Sequence, residues 1–134
     1  MLADGLVTVA STFDVPTTLE RLTQALEAKG ITIFARVDHA AGAASVGLPL
    51  RPTTLVIFGN PVGGTPLMQA GQTTGIALPL KILVWQDVDG SVRLSYNDPA
   101  WIATRHGIGN DAQAAVSALT GALATLVRQA TQGD

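Results

Sequence analysis

The feature that most constrains the fold of this chain is a turn signal, Asp89-Gly90, between two segments of alternating side chains. The arms of this signal are residues 81–87 and 91–96. An Asp-Gly pair between such arms is the strongest local indication of a β-hairpin, because glycine adopts the positive φ that the turn requires. The sequence therefore predicts an antiparallel pair of strands at this place.

The rest of the chain alternates between predicted strands and helices. Residues 6–11 and 31–37 alternate as strands do, and a helix capped by Asp14 and ended by Gly30 lies between them. A strand–helix–strand unit of this length predicts a right-handed parallel crossover. Residues 54–58 form an unbroken apolar run, which is typical of a central strand buried on both faces. Two further helices begin at Asp98-Pro99 and at Asp111.

These elements predict a single α+β domain over residues 1–134, with a mixed, mostly antiparallel sheet of about five strands and helices mainly on one face. Only 13% of the residues are charged, whereas globular proteins average roughly 25%. A second subunit that covers part of the surface accounts for this deficit, so we expect a homodimer. The last helix and a sheet edge are both open as its interface.

Composition excludes several kinds of partner. The formal net charge is −2 and the eight basic residues are scattered, so we expect neither nucleic acid nor an anionic membrane surface as a partner. No apolar run approaches the ~20 residues of a membrane-spanning helix, and residues 1–5 lack the pattern of a secretory signal. The chain has no cysteine, which is compatible with a cytoplasmic location, the one we expect.

The segment from Gly59 to Met68 is the best candidate for a binding site. An apolar strand ends there in a turn rich in Gly, Asn and Pro, and Thr65-Pro66 has the composition of an N-cap followed by a first helical residue. Unpaired backbone N–H groups at such a helix start suit a phosphate, a sulfate or a carboxylate. The segment lacks the lysine of a P-loop and the glycine spacing of a dinucleotide site. A purely structural turn explains the same residues.

Three hypotheses about function are open. The first is a domain that binds a small polar or anionic ligand at this junction, the second an enzyme that uses His39 or His106 as general acid or base, and the third a structural dimer without a small-molecule site. No serine has the context of a nucleophile, and the histidines lack metal-ligand spacing, so we expect no metal and no cofactor. The residues predicted to bind the ligand are His39, Asn60, Gly64, Thr65, Lys81 and His106.

Four motifs occur in order along the chain. They are Val37-Asp38-His39-Ala40-Ala41-Gly42-Ala43, the segment from Phe58-Gly59-Asn60-Pro61 to Gly64-Thr65-Pro66-Leu67-Met68, Leu78-Pro79-Leu80-Lys81, and Arg105-His106-Gly107. On these motifs the chain resembles the domain of unknown function 302 family over nearly its whole length. The resemblance implies a compact two-layer α+β domain that forms homodimers, and it implies no established activity. Ala77 departs from the family pattern, since an acidic residue is expected there in many relatives.

Overall fold

The computed structural model describes residues 4–133, and residues 1–3 and 134 lie outside the described part. The strands are β1 (Leu6–Ser11), β2 (Thr32–Asp38), β3 (Thr53–Gly59), β4 (Leu80–Gln86) and β5 (Val92–Asn97). The helices are α1 (Val15–Ala28), α2 (His39–Ser45), α3 (Pro61–Ala70), α4 (Pro99–Arg105) and α5 (Gln113–Thr131). Short 3₁₀ helices at Gln72–Ile76 and Asn110–Ala112 precede β4 and α5.

The five strands form one sheet in the order β1-β5-β4-β3-β2, and every neighbouring pair is antiparallel. The predicted hairpin is confirmed as β4–β5, which closes where the Asp87 N–H donates to the Ser91 carbonyl at 2.7 Å. Gly90 has a φ of 87° in that loop. The predicted parallel crossover is wrong, because β1 and β2 lie at opposite edges of the sheet with three strands between them.

The helical layer covers one face of the sheet, as predicted, and the main core lies between them. Helices α1 and α5 pack against each other and against alternate residues of β3, β4 and β5. Among the large side chains that are fully buried there are Leu22, Leu26, Val56, Phe58, Ile82, Val84, Leu94, Leu123 and Leu126. A smaller cluster joins α3, α4 and the start of α5 around Leu67.

The sheet is buried on one face only. Along β3 the residues alternate between buried and half-buried, with Val56 and Phe58 beneath the helices and Leu55 and Ile57 on the opposite face. The expectation that β3 is buried on both faces is therefore wrong. Its continuous apolar run has another cause, which is that the open face of this sheet is itself apolar around β3.

A β-bulge in strand β2 changes which residues share a face. Ile33 pairs with Phe58 and Ala35 pairs with the next residue of β3, Ile57. Phe34 is therefore an extra residue in β2 with no partner in β3. A bulge of this kind shifts the alternation of side chains by one position. The alternation predicted over residues 31–37 is consequently interrupted at the bulge, and Ile33 and Val37 point to opposite faces of the sheet.

Local signals at other helix ends agree with the structure. Asp14 caps α1, where its carboxylate accepts a hydrogen bond from the Thr17 N–H at 2.9 Å, and Asp98 caps α4 in the same way.

A contact also joins the loop after β1 to the last helix, α5. The N–H and the hydroxyl of Thr12 both donate to the Thr131 carbonyl, at 2.9 and 2.8 Å.

Candidate functional site

Helix α3 begins five residues earlier than the sequence indicated. Asn60 is the N-cap and Pro61 the first helical residue, and the Asn60 Oδ1 atom accepts a hydrogen bond from the Val62 N–H at 3.0 Å. The predicted start at Thr65-Pro66 is wrong, and both residues lie inside the helix. Asn60-Pro61 and Thr65-Pro66 carry the same cap-then-proline signal, so local rules do not choose between them.

The backbone donors at this junction already have acceptors within the protein. Besides the Val62 N–H, the N–H groups of Gly63 and Gly64 donate to the Asn60 carbonyl at 3.0 and 3.3 Å. An anion site at a helix start depends on N–H groups that point at the ligand without a partner. At the first turn of α3, Val62, Gly63 and Gly64 do not supply such groups.

A cavity of about 550 Å³ lies directly beside this junction. Its volume is within the range of pockets for small molecules. One wall is α3, a second is the middle of α5, and the floor is the end of the sheet together with the segment before β4. The residues that line it are Ile31, Phe34, Phe58, Gly59, Asn60, Pro61, Val62, Gly63, Gly64, Thr65, Met68, Gly75, Leu78, Pro79, Leu80, Ala118, Leu119, Ala122, Leu123 and Leu126.

The lining of this cavity is mostly apolar. None of the lining residues is titratable. The polar side chains of the lining are those of Asn60, the N-cap of α3, and Thr65, within α3, and both residues are exposed. Small residues set its shape at two points. A Cβ on Gly63 would lie 3.0 Å from the Leu119 side chain, and one on Gly59 would lie 3.4 Å from the Phe34 ring.

Lys81 lies behind the wall of the cavity and is not part of its lining. Leu80 lines the cavity, and the next residue of β4 points to the other face of the sheet. The Lys81 Nζ atom donates to the carbonyls of Ala77 and Pro79 at 3.1 and 2.9 Å. Burial lowers the pKa of this amine below its usual range. The lysine thus closes the turn that carries Leu78 and Pro79.

His106 is also outside the cavity. It is the C-cap of α4, and its Nδ1 atom lies 2.9 Å from the Thr73 hydroxyl oxygen, in the 3₁₀ helix that precedes β4. Its Nε2 atom is buried and has no hydrogen-bond partner in the described part of the chain. Gly75, in the same 3₁₀ helix, lines the cavity, so His106 braces one rim of the pocket from behind.

His39 lies at the opposite end of the sheet. It opens α2 directly after β2, whereas the other end of β2 pairs with Gly59 beside the cavity. Six steps along a strand place the two ends about 20 Å apart. His39 is exposed there, next to an open depression of about 690 Å³ between α1, β2 and α2 that is lined in part by Glu20, Arg36 and Asp38.

The structure thus brings together Asn60, Gly64 and Thr65 and separates them from His39, Lys81 and His106. Sequence reasoning did not identify the apolar walls as part of a site. The helical spacing of Leu119 and Leu123 is equally typical of core residues, and nothing in the sequence marks the bulge that places Phe34 at the cavity. Within residues 4–133, no cluster of three or more His, Asp or Glu side chains is arranged to hold a metal ion.

Comparison with known proteins identifies the family and the fold. Residues 7–126 match the family described as domain of unknown function DUF302. A solved structure described as an uncharacterized conserved protein DUF302 from Bacillus stearothermophilus superposes with a TM-score of 0.84 at 19% identity, over 96% of this chain and 99% of the other. At that identity the likeness shows the shared fold.

The chain is also similar to proteins that are named for ion transport. It is 45% identical over 134 residues to fluoride-specific ion channel FluC 1 of Brucella suis biovar 1 (strain 1330), and equally to FluC 1 of Brucella abortus biovar 1 (strain 9-941). The match covers all of this chain but 52% and 49% of those proteins, so the chain spans about half the length of the curated relatives it matches. Over residues 4–133, no helix has the length and apolar character needed to cross a membrane.

Proposed function

The chain belongs to the DUF302 family, and from that premise and the cavity beside α3 we propose that it is a binding domain for a small molecule with a largely apolar body. The observation that carries this proposal is the cavity itself, about 550 Å³ in volume and walled by α3, α5 and the end of the sheet. Small-molecule sites are typically concave and apolar with a few polar groups that fix the orientation.

The polar part of the ligand belongs at the mouth of the cavity. The Thr65 hydroxyl and the amide of Asn60 are the polar side chains there, and both residues are exposed. A hydroxyl, carboxylate or sulfonate head at this point keeps its contact with water while the body of the ligand enters between Leu119 and Leu123. In this proposal the polar or anionic head of the ligand lies at the junction predicted from the sequence. The apolar contacts of the ligand body are the main source of affinity.

The structure supports the binding hypothesis better than the enzyme hypothesis. The cavity has no titratable lining residue, and His39 and His106 both lie outside it. General acid or base catalysis needs such a group within hydrogen-bond reach of the substrate. We further propose that the domain acts as a homodimer in the cytoplasm, on the grounds of its low charge and its composition.

A fluorescent probe with the proposed chemistry tests ligand binding directly. 8-Anilinonaphthalene-1-sulfonate has an aromatic body and one anionic head, and we expect it to bind the folded protein saturably with one site per chain. Ala122→Trp places an indole in the cavity and should weaken binding of the probe by about tenfold or more. Ala114→Trp is the matched control, because Ala114 is exposed on the same helix and does not line the cavity.

The test also has results that contradict the proposal. If the wild-type protein binds no probe, or if Ala122→Trp binds it as well as Ala114→Trp does, the cavity is not a binding site. Thr65→Val examines the polar end separately. Loss of one hydrogen bond of about 1 kcal/mol should weaken binding of the sulfonate probe about fivefold, and should leave the melting temperature of the free protein nearly unchanged.

The curated relatives favour a second candidate function. In the Brucella proteins a segment 45% identical to this whole chain occupies about half of a protein named for fluoride conduction. We propose that domains of this type serve as accessory modules of fluoride channels. The test is to measure fluoride efflux from liposomes that contain the unmatched half of the Brucella suis protein, with and without this chain. A change in fluoride efflux of about twofold or more, together with co-elution of the two proteins, supports the idea. The absence of both effects would refute it.

A further inference from the structure

The face of the sheet opposite the helices carries a continuous apolar row. Register aligns Val37 of β2 with Leu55 of β3, and Leu55 with Leu83 of β4. Ile57 extends the row along β3. An antiparallel sheet that faces water on one side normally carries polar residues on that side. The β2–β3–β4 half of this face departs from that rule.

This face is not covered by the described part of the chain. Of the residues that point to it from the five strands, only Ser95 is buried, whereas Val37 is 38% exposed. Leu6, at the far edge of the same face, is 41% exposed. The helices that complete the main core, α1 and α5, lie on the other side.

Four polar side chains of this face, Thr8, Ser95, Arg93 and Lys81, have partners within the chain. In its β5–β1 half the Ser95 hydroxyl oxygen accepts from the Trp85 Nε1–H at 2.9 Å and lies 2.9 Å from the Thr8 hydroxyl oxygen. Arg93 pairs with Asp87 at 3.3 Å, and the Lys81 amine is turned back onto two backbone carbonyls. The charged side chains of this face, Lys81 beside Ile57 and Arg93 beside Trp85, therefore have partners within the chain, and the row from Val37 through Leu55 to Leu83 is uncharged.

The total surface supports an interface of ordinary size. The accessible surface is 7575 Å², whereas a monomeric protein of 13.8 kDa exposes about 6,600 Å². The difference, roughly 1,000 Å², is comparable to the ~800 Å² that each partner buries in a standard interface.

We propose that the open sheet face, with Val37, Leu55, Ile57 and Leu83 at its centre, is covered by the same face of a second copy of this chain. An uncharged apolar patch is self-complementary, which is what a two-fold interface between identical subunits requires. Two sheets packed in this way lie about 10 Å apart with interdigitated side chains. The inference locates the proposed homodimer on a surface that is neither the last helix nor a sheet edge, and it is independent of whether the cavity binds a ligand.

The oligomeric state of charged variants tests this assignment. Sedimentation velocity over a range of concentrations should show a dimer for the wild-type chain. Leu55→Lys should raise the dissociation constant of the dimer at least about tenfold, because a lysine on each copy is buried in the interface without a partner. Val88→Lys and Ala114→Lys are matched controls that add the same charge to the hairpin loop and to the exposed side of α5, and both should stay dimeric. Circular dichroism and thermal unfolding establish that each variant is folded.

A cysteine probe keeps the proposal testable if Leu55→Lys fails to fold. The chain has no cysteine, so Val37→Cys introduces a single thiol on the open face and Val88→Cys a single thiol elsewhere. The rate of labelling by a maleimide at position 37 should fall as protein concentration rises, while the rate at position 88 should not change. Three results would each overturn the inference. The wild-type chain is monomeric at every concentration, the labelling rate at position 37 does not depend on protein concentration, or the dimer is lost in Ala114→Lys but kept in Leu55→Lys. If the protein is a monomer that still binds the sulfonate probe, the dimer interface is refuted and the proposed ligand site in the cavity is not.

Discussion

Replacing Gly5 by alanine should destabilise this protein more than any other glycine-to-alanine change in a loop with the same backbone conformation. Gly5 has a φ of +77°, and an added Cβ would lie 2.7 Å from the Cδ1 atom of Trp101 and closer still to Cγ and Cδ2. The left-handed conformation costs a residue with a Cβ about 1–2 kcal/mol. Carbon atoms pack at about 3.5–4.0 Å, so the indole must also move, and overpacking of this kind costs about 1–3 kcal/mol. The expected loss in free energy of unfolding is about 2–5 kcal/mol.

Urea denaturation of Gly5→Ala, Gly30→Ala, Trp101→Ala and the Gly5→Ala/Trp101→Ala double variant separates the two contributions. Gly30→Ala is the matched control, because Gly30 has a φ of +68° and an added Cβ would have no atom within 4 Å. It should show the conformational cost alone. When Gly5→Ala is introduced into Trp101→Ala, its effect should fall to that of Gly30→Ala. The reasoning is refuted if Gly5→Ala and Gly30→Ala cost the same, or if removal of the indole leaves the cost of Gly5→Ala unchanged.

Three further predictions concern stability. Burial lowers the pKa of Lys81, so the unfolded chain binds more protons and stability rises with pH. The free energy of unfolding of the wild type relative to Lys81→Met should therefore increase between neutral pH and 10.5, as measured by urea titrations. Hydrogen bonds from Thr17 lower the pKa of Asp14 below 3.8, so its capping is present above that pH and is lost as the carboxylate protonates. Asp14→Ala should lower the melting temperature at neutral pH and not in strong acid, and Asp14→Asn should differ less from the wild type at neutral pH. Leu94→Ala should cost about 2–5 kcal/mol in chemical denaturation, since Leu94 is 0% exposed, and Leu48→Ala, at a residue 62% exposed, should cost little.

The parts of the fold that were predictable from sequence are those set by neighbouring residues. The β4–β5 hairpin follows from Asp89-Gly90, and the start of α4 follows from Asp98-Pro99, because turns and caps are decided within a few positions. The start of α5 was less well predicted, since Asp111 lies in a 3₁₀ helix and the α-helix begins at Gln113. Such an end is a change of hydrogen-bond pattern that composition does not specify.

The parts that were not predictable depend on distant residues. β1 pairs with β5 across most of the chain, from Leu6 to Asn97, and no local pattern selects that partner over β2. The cavity has the same origin, because its walls come from β2, α3, the segment before β4 and α5. The sequence located one of these walls, at Asn60, Gly64 and Thr65. The others are apolar residues whose helical or strand spacing is the same in a filled core and beside a cavity.

β1 precedes the other strands of this domain in the chain, yet it is one of the last that the domain can use. β1 has its hydrogen-bond partners in residues 92–97, and the loop after it is held by the Thr131 carbonyl near the far end of the chain. A nascent chain cannot close the sheet until most of α5 has been synthesised, and the edge of β1 stays available to other strands until then. Synthesis that stops before α5 would therefore release a chain with an open edge, which is a substrate for chaperones and proteases and not a smaller version of the same domain.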